Sequence, residues 1–214
     1  MKPGHDIRTI DPRHPDPALI AMAGGVIQSG GVVIFPTACL YGLAADAFNR
    51  SAVEKIFRMK RRAPENPLLL LIPDQEALNR LAAEIPTTAV RIMERFWPGM
   101  VTLVFTAVET VPAYLTAGSG KIGVRLPAHP VARALAGAVR RPITGTSANI
   151  SGRPGFEIAE GLSDVLAEPP DLILDAGRLK GGPGSTVVDV TLYPPRILRE
   201  GSVPAAEVLA VLND

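Results

Sequence analysis

Cysteine is nearly absent from this chain, with only Cys39 in 214 residues. A single thiol excludes an intramolecular disulfide and makes a cysteine-based zinc site implausible, and it fits a reducing compartment. Histidine is almost as scarce, and His5, His14 and His129 are too scattered to form a recognisable metal cluster. Excess charge of either sign is missing too. The 22 basic residues face 21 acidic ones for a net charge of +1, so bulk electrostatics gives no support to a dedicated nucleic-acid or membrane-surface protein. Any basic site must be local. No apolar run approaches the length of a membrane span, and the stretch from Met1 to Asp6 lacks the apolar core of a signal peptide. The expectation is a soluble cytoplasmic protein without membrane association. Repeats, low-complexity tracts and linkers are also absent, so one domain over residues 17–214 is expected behind an N-terminal arm of residues 1–16.

What is present is enough apolar sequence, 47% of the chain, to bury a sizeable core. The clearest element follows Gly30-Gly31, where the run Val32 to Phe35 predicts a buried strand that Pro36 stops, because proline has no N–H for a sheet ladder. Thr37, Cys39, Tyr41 and Gly42 then form a polar, small-residue segment past the strand's carboxyl end, where open α/β sheets tend to place ligands. A plain strand-to-proline turn is the competing reading.

Elsewhere helical and strand patterns alternate. Asp16-Pro17 starts a helix that Gly30-Gly31 ends, and Ser51-Ala52-Val53-Glu54 has the form of a capping box opening a helix through Lys60. Leu68 to Ile72 is a short apolar strand. Helices are predicted at about 75–83, 87–97 (with Val90, Met93 and Phe96 on one face), 130–139, 157–167 and 205–212. Further strands are predicted at 101–108, 122–126, 142–144, 171–175, 185–191 and 195–199, with Ile7 to Ile10 as a candidate short edge strand. Some strands follow one another directly. The fold class is therefore α/β with α+β character, a twisted mixed sheet layered by helices.

Four polar segments sit beside these strands. Lys60-Arg61-Arg62 with Asn66 is a compact basic group suited to phosphate, or else a solvated helix end that suits the macrodipole. Arg125, inside the apolar run Gly123 to Pro127, needs either a structural carboxylate or an anionic ligand. The loop Thr144 to Gly152 crowds hydroxyls, an amide and backbone N–H groups at a strand end, suited to phosphate or ribose, or to bonding its own backbone. Gly182 to Asp189 brings glycines into a strand, with Arg196 and Arg199 shortly after. No P-loop and no G-x-G-x-x-G fingerprint is present. Cys39 has no histidine paired with it in sequence, which favours packing over nucleophilic catalysis.

In order, the chain carries Phe35-Pro36-Thr37-x-x-Leu40-Tyr41-Gly42-Leu43, Lys60-x-Arg62 with Asn66-Pro67-Leu68, Pro98-Gly99-x-x-Thr102, Val124-Arg125-Leu126-Pro127, Thr146-Ser147-Ala148-Asn149-x-Ser151-Gly152, Ser185 to Asp189, and Leu198-Arg199-x-Gly201. Each motif alone is weak; seven in order resemble the YrdC/TsaC family of threonylcarbamoyl-AMP synthases. The resemblance implies a single YrdC-type domain with a concave substrate-binding face. It also implies a reaction that joins L-threonine, bicarbonate or CO2, and ATP into threonylcarbamoyl-AMP and pyrophosphate, for the t6A modification at tRNA position 37. By motif, Lys60, Arg62, Asn66, Ser147, Asn149 and Arg199 would contact ATP, with Lys60 and Arg62 stabilising charge and no covalent nucleophile. Thr37, Cys39, Arg125, Gly145 and Ser185 would form the threonine pocket. Mg²⁺ would accompany ATP, and partners would be downstream threonylcarbamoyl-transfer proteins, with tRNA contact as a further expectation. The competing readings are a paralogue acting on a related carbamoyl or adenylate substrate and an RNA-binding module. Many members carry Pro-Thr-acidic-Thr where this chain has Pro36-Thr37-Ala38-Cys39, and a polar residue near Leu71, so two polar groups expected to touch threonine are missing. The chain resembles the short form of the family, without an extra C-terminal domain.

Overall fold

A computed structural model describes residues 6–212, so the first five residues of the expected arm lie outside the described residues. Asp6–Thr9 (β1) pairs in parallel with Leu172–Asp175 (β9), which makes the edge strand anticipated near Ile7 a member of a sheet. Pro17–Gln28 (α1) starts where expected, because the Asp16 carboxylate accepts the Ala18 N–H at 2.8 Å and Pro17 is preorganised for the first helical position. Val33–Pro36 (β2) follows and is wholly buried.

The segment after Pro36 departs from the expected loop. Tyr41–Ala44 (β3) folds back antiparallel on β2, with Phe35 opposite Gly42. Its apolar and small residues lack the Gly/Asn turn signal that would have marked a hairpin. The Thr37 hydroxyl closes the connection instead, donating to the Leu40 carbonyl at 2.6 Å.

Arg50–Lys60 (α2) is capped by Asn49 rather than by the Ser51–Glu54 box. The Asn49 side-chain oxygen accepts the Ala52 N–H at 3.2 Å and the Ser51 hydroxyl at 3.2 Å, while Glu54 is drawn to Arg50 one turn back. Leu69–Leu71 (β4) is shorter than predicted, and the helix expected at 75–83 is a 3-10 turn, Glu76–Arg80, that the Asp74 carboxylate begins. Thr87–Phe96 (α3) buries Ala89, Ile92 and Met93, whereas Val90 is 37% exposed, so the inward face is rotated from the Val90 stripe.

Val101–Thr106 (β5), a short helix Ala113–Thr116 (α4), Lys121–Arg125 (β6) and Pro130–Val139 (α5) come next. Two-residue strands Ile143–Thr144 (β7) and Thr146–Ser147 (β8) flank Gly145. The helix expected over 157–167 shrinks to Leu162–Val165 (α6), after which β9, Thr186–Asp189 (β10), Arg196–Arg199 (β11) and Ala205–Ala210 (α7) complete the chain.

The strands form two mixed sheets, one ordered β1-β9-β2-β3-β8 and the other β11-β10-β5-β6-β4-β7. Alternation along β2 explains how the first sheet is sandwiched. Val33 and Phe35 pack against Ile20, Ala23 and Ile27 of α1 and Val131, Leu135 and Val139 of α5. Val32 and Ile34 face a larger core shared with Leu70, Leu103, Val124 and Val188 of the second sheet and with α2 and α3. That core covers one face of the second sheet, leaving the other to form a cavity floor. Among the described residues no helix is long and apolar enough to cross a membrane.

The observed cap gives a direct comparison. Replacing Asn49→Ala should cost about 0.5–2 kcal/mol of unfolding free energy, whereas Ser51→Ala should stay within about 0.5 kcal/mol of neutral, measured by urea denaturation. Equal losses would restore the capping-box reading.

Candidate functional site

The open face of the second sheet supports a cavity of about 510 Å³. Its floor comes from alternate residues of three strands: Thr102 and Val104 on β5, Gly123 and Arg125 on β6, and Val187 and Asp189 on β10. One wall carries Arg62, Pro67, Leu68 and Leu69. The opposite side carries Gly184, Ser185, Leu198 and Arg199, and the turn Thr37 to Leu40 closes one end with Gly145, Thr146 and Ser147.

Arg125, at the end of β6, is only 7% exposed. Among the described residues no carboxylate meets it; Nη1 reaches the Met100 sulfur at 3.7 Å, and Nε has no hydrogen-bond partner. Burial pushes the guanidinium down to about 10, with Cys39 acting the other way and Arg199 adding to the fall. The two sequence alternatives for Arg125 are thereby separated, because a structural carboxylate is not what faces it. Among the described residues, buried side-chain polar atoms without a partner are Arg125 Nε, His129 Nδ1 and Ser151 Oγ, and of these residues Arg125 lines the cavity.

Arg62 and Arg199 stand on opposite walls. Arg62 donates from Nε to the Asn66 carbonyl at 3.0 Å and from Nη2 to the Pro67 carbonyl at 2.8 Å, while Arg199 donates to the Ser185 carbonyl at 2.8 Å. Burial lowers Arg62, and the like charge of Arg199 lowers it further. None of the three arginines belongs to an ion pair among the described residues. Three cations that repel one another around one hollow are arranged for anions.

The remaining expected residues divide in two. Thr37, Cys39, Gly145, Ser147 and Ser185 line the cavity with the arginines. Ser185 shares a 2.7 Å hydrogen bond with Thr102 on the floor, and the Cys39 sulfur lies 3.7 Å from the Ser202 hydroxyl. Gly145 is required by close approach: a Cβ there would fall 2.6 Å from Cγ of buried Leu71. Asn66 contributes a backbone carbonyl to Arg62 and has an exposed side chain.

Lys60 and Asn149 lie beneath the wall, at 1% and 6% exposure. The Lys60 ammonium donates to the Ser147 carbonyl, to the Asn149 carbonyl at 3.0 Å and to the Asn149 side-chain oxygen at 2.8 Å. Burial first and Arg62 second pull this lysine down to about 7. An ammonium has one N–H for each of its three acceptors, so the loop oxygens offset part of that penalty. Its place is under the 147–149 loop, holding it.

Sequence motifs assigned no site role to Met100, Val104, Lys121, Gly123, Asp189 or Leu198, although Gly123, Asp189 and Leu198 stand within the segments singled out, and all six line the cavity. The available signal was strand alternation, since Thr102/Val104 and Lys121/Gly123/Arg125 recur every second residue. Among the described residues no group of three or more His, Cys, Asp or Glu could hold a metal ion, so the side chains do not fit a dedicated Mg²⁺ cage.

A mixed α/β fold with an arginine-lined cleft on an open sheet face is suited to small anions. Comparison with known proteins gives the family: residues 25–201 match the Sua5/YciO/YrdC family, described as "Telomere recombination", and the chain belongs to it. It is 41% identical over 195 residues to a threonylcarbamoyl-AMP synthase of Pyrococcus abyssi, covering 91% of this chain and 57% of that one. The crystal structure of P. abyssi Sua5 complexed with L-threonine is similar at a TM-score of 0.91 and 39% identity, over 96% of this chain and 60% of that chain. Escherichia coli YciO matches at a TM-score of 0.85 and 30% identity, over 94% and 98% of the two chains. The chain thus spans less than two thirds of the length of the archaeal relative.

The depressed Lys60 value has a measurable sign. The folded chain binds fewer protons at Lys60 than the unfolded chain between about pH 7 and the ordinary lysine value of 10.5, so the burial penalty is full below pH 7 and is relieved as pH rises. The stability of the wild type relative to Lys60→Met should therefore increase from pH 7 to pH 10 in urea denaturation. A constant or falling difference would show that the loop oxygens outweigh burial.

Proposed function

We propose that the chain is an L-threonylcarbamoyladenylate synthase, a nucleotidyltransferase that makes threonylcarbamoyl-AMP and pyrophosphate from L-threonine, bicarbonate or CO2, and ATP. The observation that carries this reading is Arg125, a buried guanidinium with an unpartnered Nε inside a cavity that two more unpaired arginines share. The names of the similar proteins, a threonylcarbamoyl-AMP synthase and a Sua5 complexed with L-threonine, support the choice of substrates.

The chemistry suits this lining. The threonine amino group adds to CO2 and loses a proton to give a carbamate. A carbamate oxygen then attacks the α-phosphorus of ATP, and pyrophosphate leaves. Neither step needs a protein nucleophile; both need two anions held together and phosphoryl charge neutralised. Arg125 would hold the threonine carboxylate, with Thr37, Cys39, Ser185 and the Gly145 backbone around the rest of the amino acid. Arg62, Arg199 and Ser147 would face the phosphates, and Lys60 and Asn149 would keep the Ser147 loop in place, with Asn66 steadying Arg62 through its carbonyl. Any Mg²⁺ would arrive on the nucleotide with the phosphates as its main ligands. The product would pass to threonylcarbamoyl-transfer proteins acting on tRNA.

Incubation with ATP, Mg²⁺, bicarbonate and each amino acid in turn, following pyrophosphate, should show release that depends on threonine; release with no amino acid, or none at all, would sink the assignment. Arg125→Met should raise the KM for threonine roughly 10- to 150-fold, the equivalent of losing about 1.5–3 kcal/mol of charged hydrogen bonding. The same variant should keep or raise Tm, because an unpaired buried charge is removed. Unaltered threonine dependence would overturn the role given to Arg125.

A second reading, a paralogue using a related carbamoyl or adenylate substrate, draws on Cys39, whose thiol stands on the cavity wall at a position where the family resemblance implies a hydroxyl. On the synthase reading, Cys39→Thr should lower the KM for threonine without changing its preference over other amino acids. A switch of preferred amino acid in that variant would favour the paralogue.

A further inference from the structure

The reaction above uses Cys39 for contact alone, yet a thiol is also a group that can be oxidised. Cys39 is 8% exposed and is reached through the cavity whose wall it forms. The lining sets four cations, Arg62, Lys121, Arg125 and Arg199, against one carboxylate, Asp189. That carboxylate is already engaged. Lys121 meets it at 2.9 Å, and the Thr191 N–H and hydroxyl donate to it at 2.9 and 2.6 Å. Reactive cysteines sit in electropositive surroundings of this kind, partly open to small molecules.

The lone pairs of the Cys39 sulfur are free. Its neighbour is the Ser202 hydroxyl at 3.7 Å, whose single proton goes to the Pro183 carbonyl at 2.6 Å, with the Gly184 carbonyl at 3.2 Å. Among the described residues no other hydrogen-bonding group meets the thiol. The second sulfur on the wall, that of Met100, instead accepts from Arg125 Nη1 at 3.7 Å. Arg125 supplies an independent observation, because its Nε has no acceptor although the side chain is nearly wholly buried. Burial lowers this guanidinium and negative charge on Cys39 opposes the fall, so the two groups lie within electrostatic reach. An oxygen added to the sulfur would offer an acceptor beside a cation that lacks one.

We propose that Cys39 is a site of oxidation by hydroperoxides, and that the oxygen it gains occupies Arg125 and shuts the anion site. The thiolate attacks one peroxide oxygen, so that an S–O bond forms as the O–O bond breaks. The leaving hydroxide or alkoxide takes up the proton that the thiol gave up. Sulfur is oxidised by two electrons to sulfenic acid, and the peroxide is reduced to water or an alcohol. Cys39 is the single cysteine of the chain, so no resolving thiol can trap the product as an intramolecular disulfide. Added thiol restores it, whereas a second equivalent of peroxide gives sulfinic acid, which thiols do not reduce. The loss of threonine that follows rests on the role given to Arg125 above; the oxidation itself does not.

The test treats the full chain with hydrogen peroxide, traps sulfenic acid with dimedone and locates the adduct by peptide mass, which separates Cys39 from oxidised methionine. Labelling at Cys39 should be several-fold slower in Arg125→Met than in the wild type. Saturating inorganic sulfate, which fills the arginines of the wild type, should slow it likewise and replaces the comparison if Arg125→Met lowers Tm. Calorimetry should then show a loss of about tenfold or more in threonine affinity after oxidation, because the charged hydrogen bond to Arg125 is taken. Dithiothreitol should restore that affinity, and peroxide should leave Cys39→Ser at its own untreated value. Labelling that ignores both Arg125→Met and sulfate, or an oxidised wild type that binds threonine unchanged, overturns the proposal and leaves the synthase reading standing. An untreated wild type that binds no threonine removes the synthase reading, while arginine-dependent labelling still upholds Cys39 as the oxidation site.

Discussion

A guanidinium held inside a folded protein without a carboxylate is the constraint around which the rest of this structure makes sense. Desolvating a cation costs several kcal/mol even after relaxation, and Arg125 receives little in return from a sulfur at 3.7 Å. The fold can bear this because β6 lies between β5 and β4 in the second sheet, where its main chain pairs on both sides and its Ile122 and Val124 face is packed. Arg62 and Arg199 make the electrostatics worse in the empty cavity. The same repulsion favours any ligand that brings negative charge, so what is unfavourable in the free protein becomes preorganisation for an anion.

Lys60 shows the opposite solution to the same problem. It is as buried as Arg125, yet its three N–H groups meet three oxygens of the segment Ser147 to Asn149. The Ser147 hydroxyl also donates to the Asn149 side chain at 2.6 Å, so one lysine, one amide and one hydroxyl close a network behind the cavity wall. A satisfied buried cation fixes structure, whereas an unsatisfied one waits for a ligand. Charge type and sequence motif do not distinguish the two, since both residues sit in basic or apolar runs of similar appearance. Only the partners do.

That difference sets how far the sequence could be read. Mixed α/β class, α1, α5 and the buried runs of β2, β4 and β6 were legible because apolar periodicity and proline or glycine punctuation mark them directly. The hairpin partner β3 was not, because Tyr41-Gly42-Leu43-Ala44 has weak strand propensity and gains its place by pairing with β2 and β8. The Ser51–Glu54 box failed as a cap because the helix starts two residues earlier, where the Asn49 side chain accepts the Ala52 N–H and the Ser51 hydroxyl. At the site, Arg62, Arg125 and Arg199 were legible as cations in unusual places, and the structure brings them to one cavity. The burial of Lys60 and Asn149 was hidden, since it depends on a contact between residues 60 and 149 that no local pattern announces. The floor residues Val104, Gly123 and Asp189 lie on the strand face that alternation sets opposite the core, and nothing local marks that face as a cavity floor rather than a solvated surface.

The wall bearing Cys39 is where packing and chemistry are hardest to separate. The Cys39 carbonyl accepts the Gly181 N–H at 2.9 Å, and its thiol abuts Ser202, whose hydroxyl donates to the Pro183 carbonyl at 2.6 Å. Ser202 N–H reaches the Gly184 carbonyl at 2.8 Å, and the Thr186 hydroxyl accepts the Gly201 N–H at 2.9 Å. The turn after β2, the glycine-rich entry to β10 and the exit of β11 are therefore knitted into one unit. Because Arg199 and Ser185 belong to that unit and are themselves joined through the Ser185 carbonyl, a change at Cys39 acts on the spacing of the anion-binding groups as well as on its own contact with a substrate. A thiol, a weak hydrogen-bonding partner, ties this wall more loosely than a hydroxyl would. The Cys39 wall is thus coupled to the cations by a short run of hydrogen bonds rather than by charge.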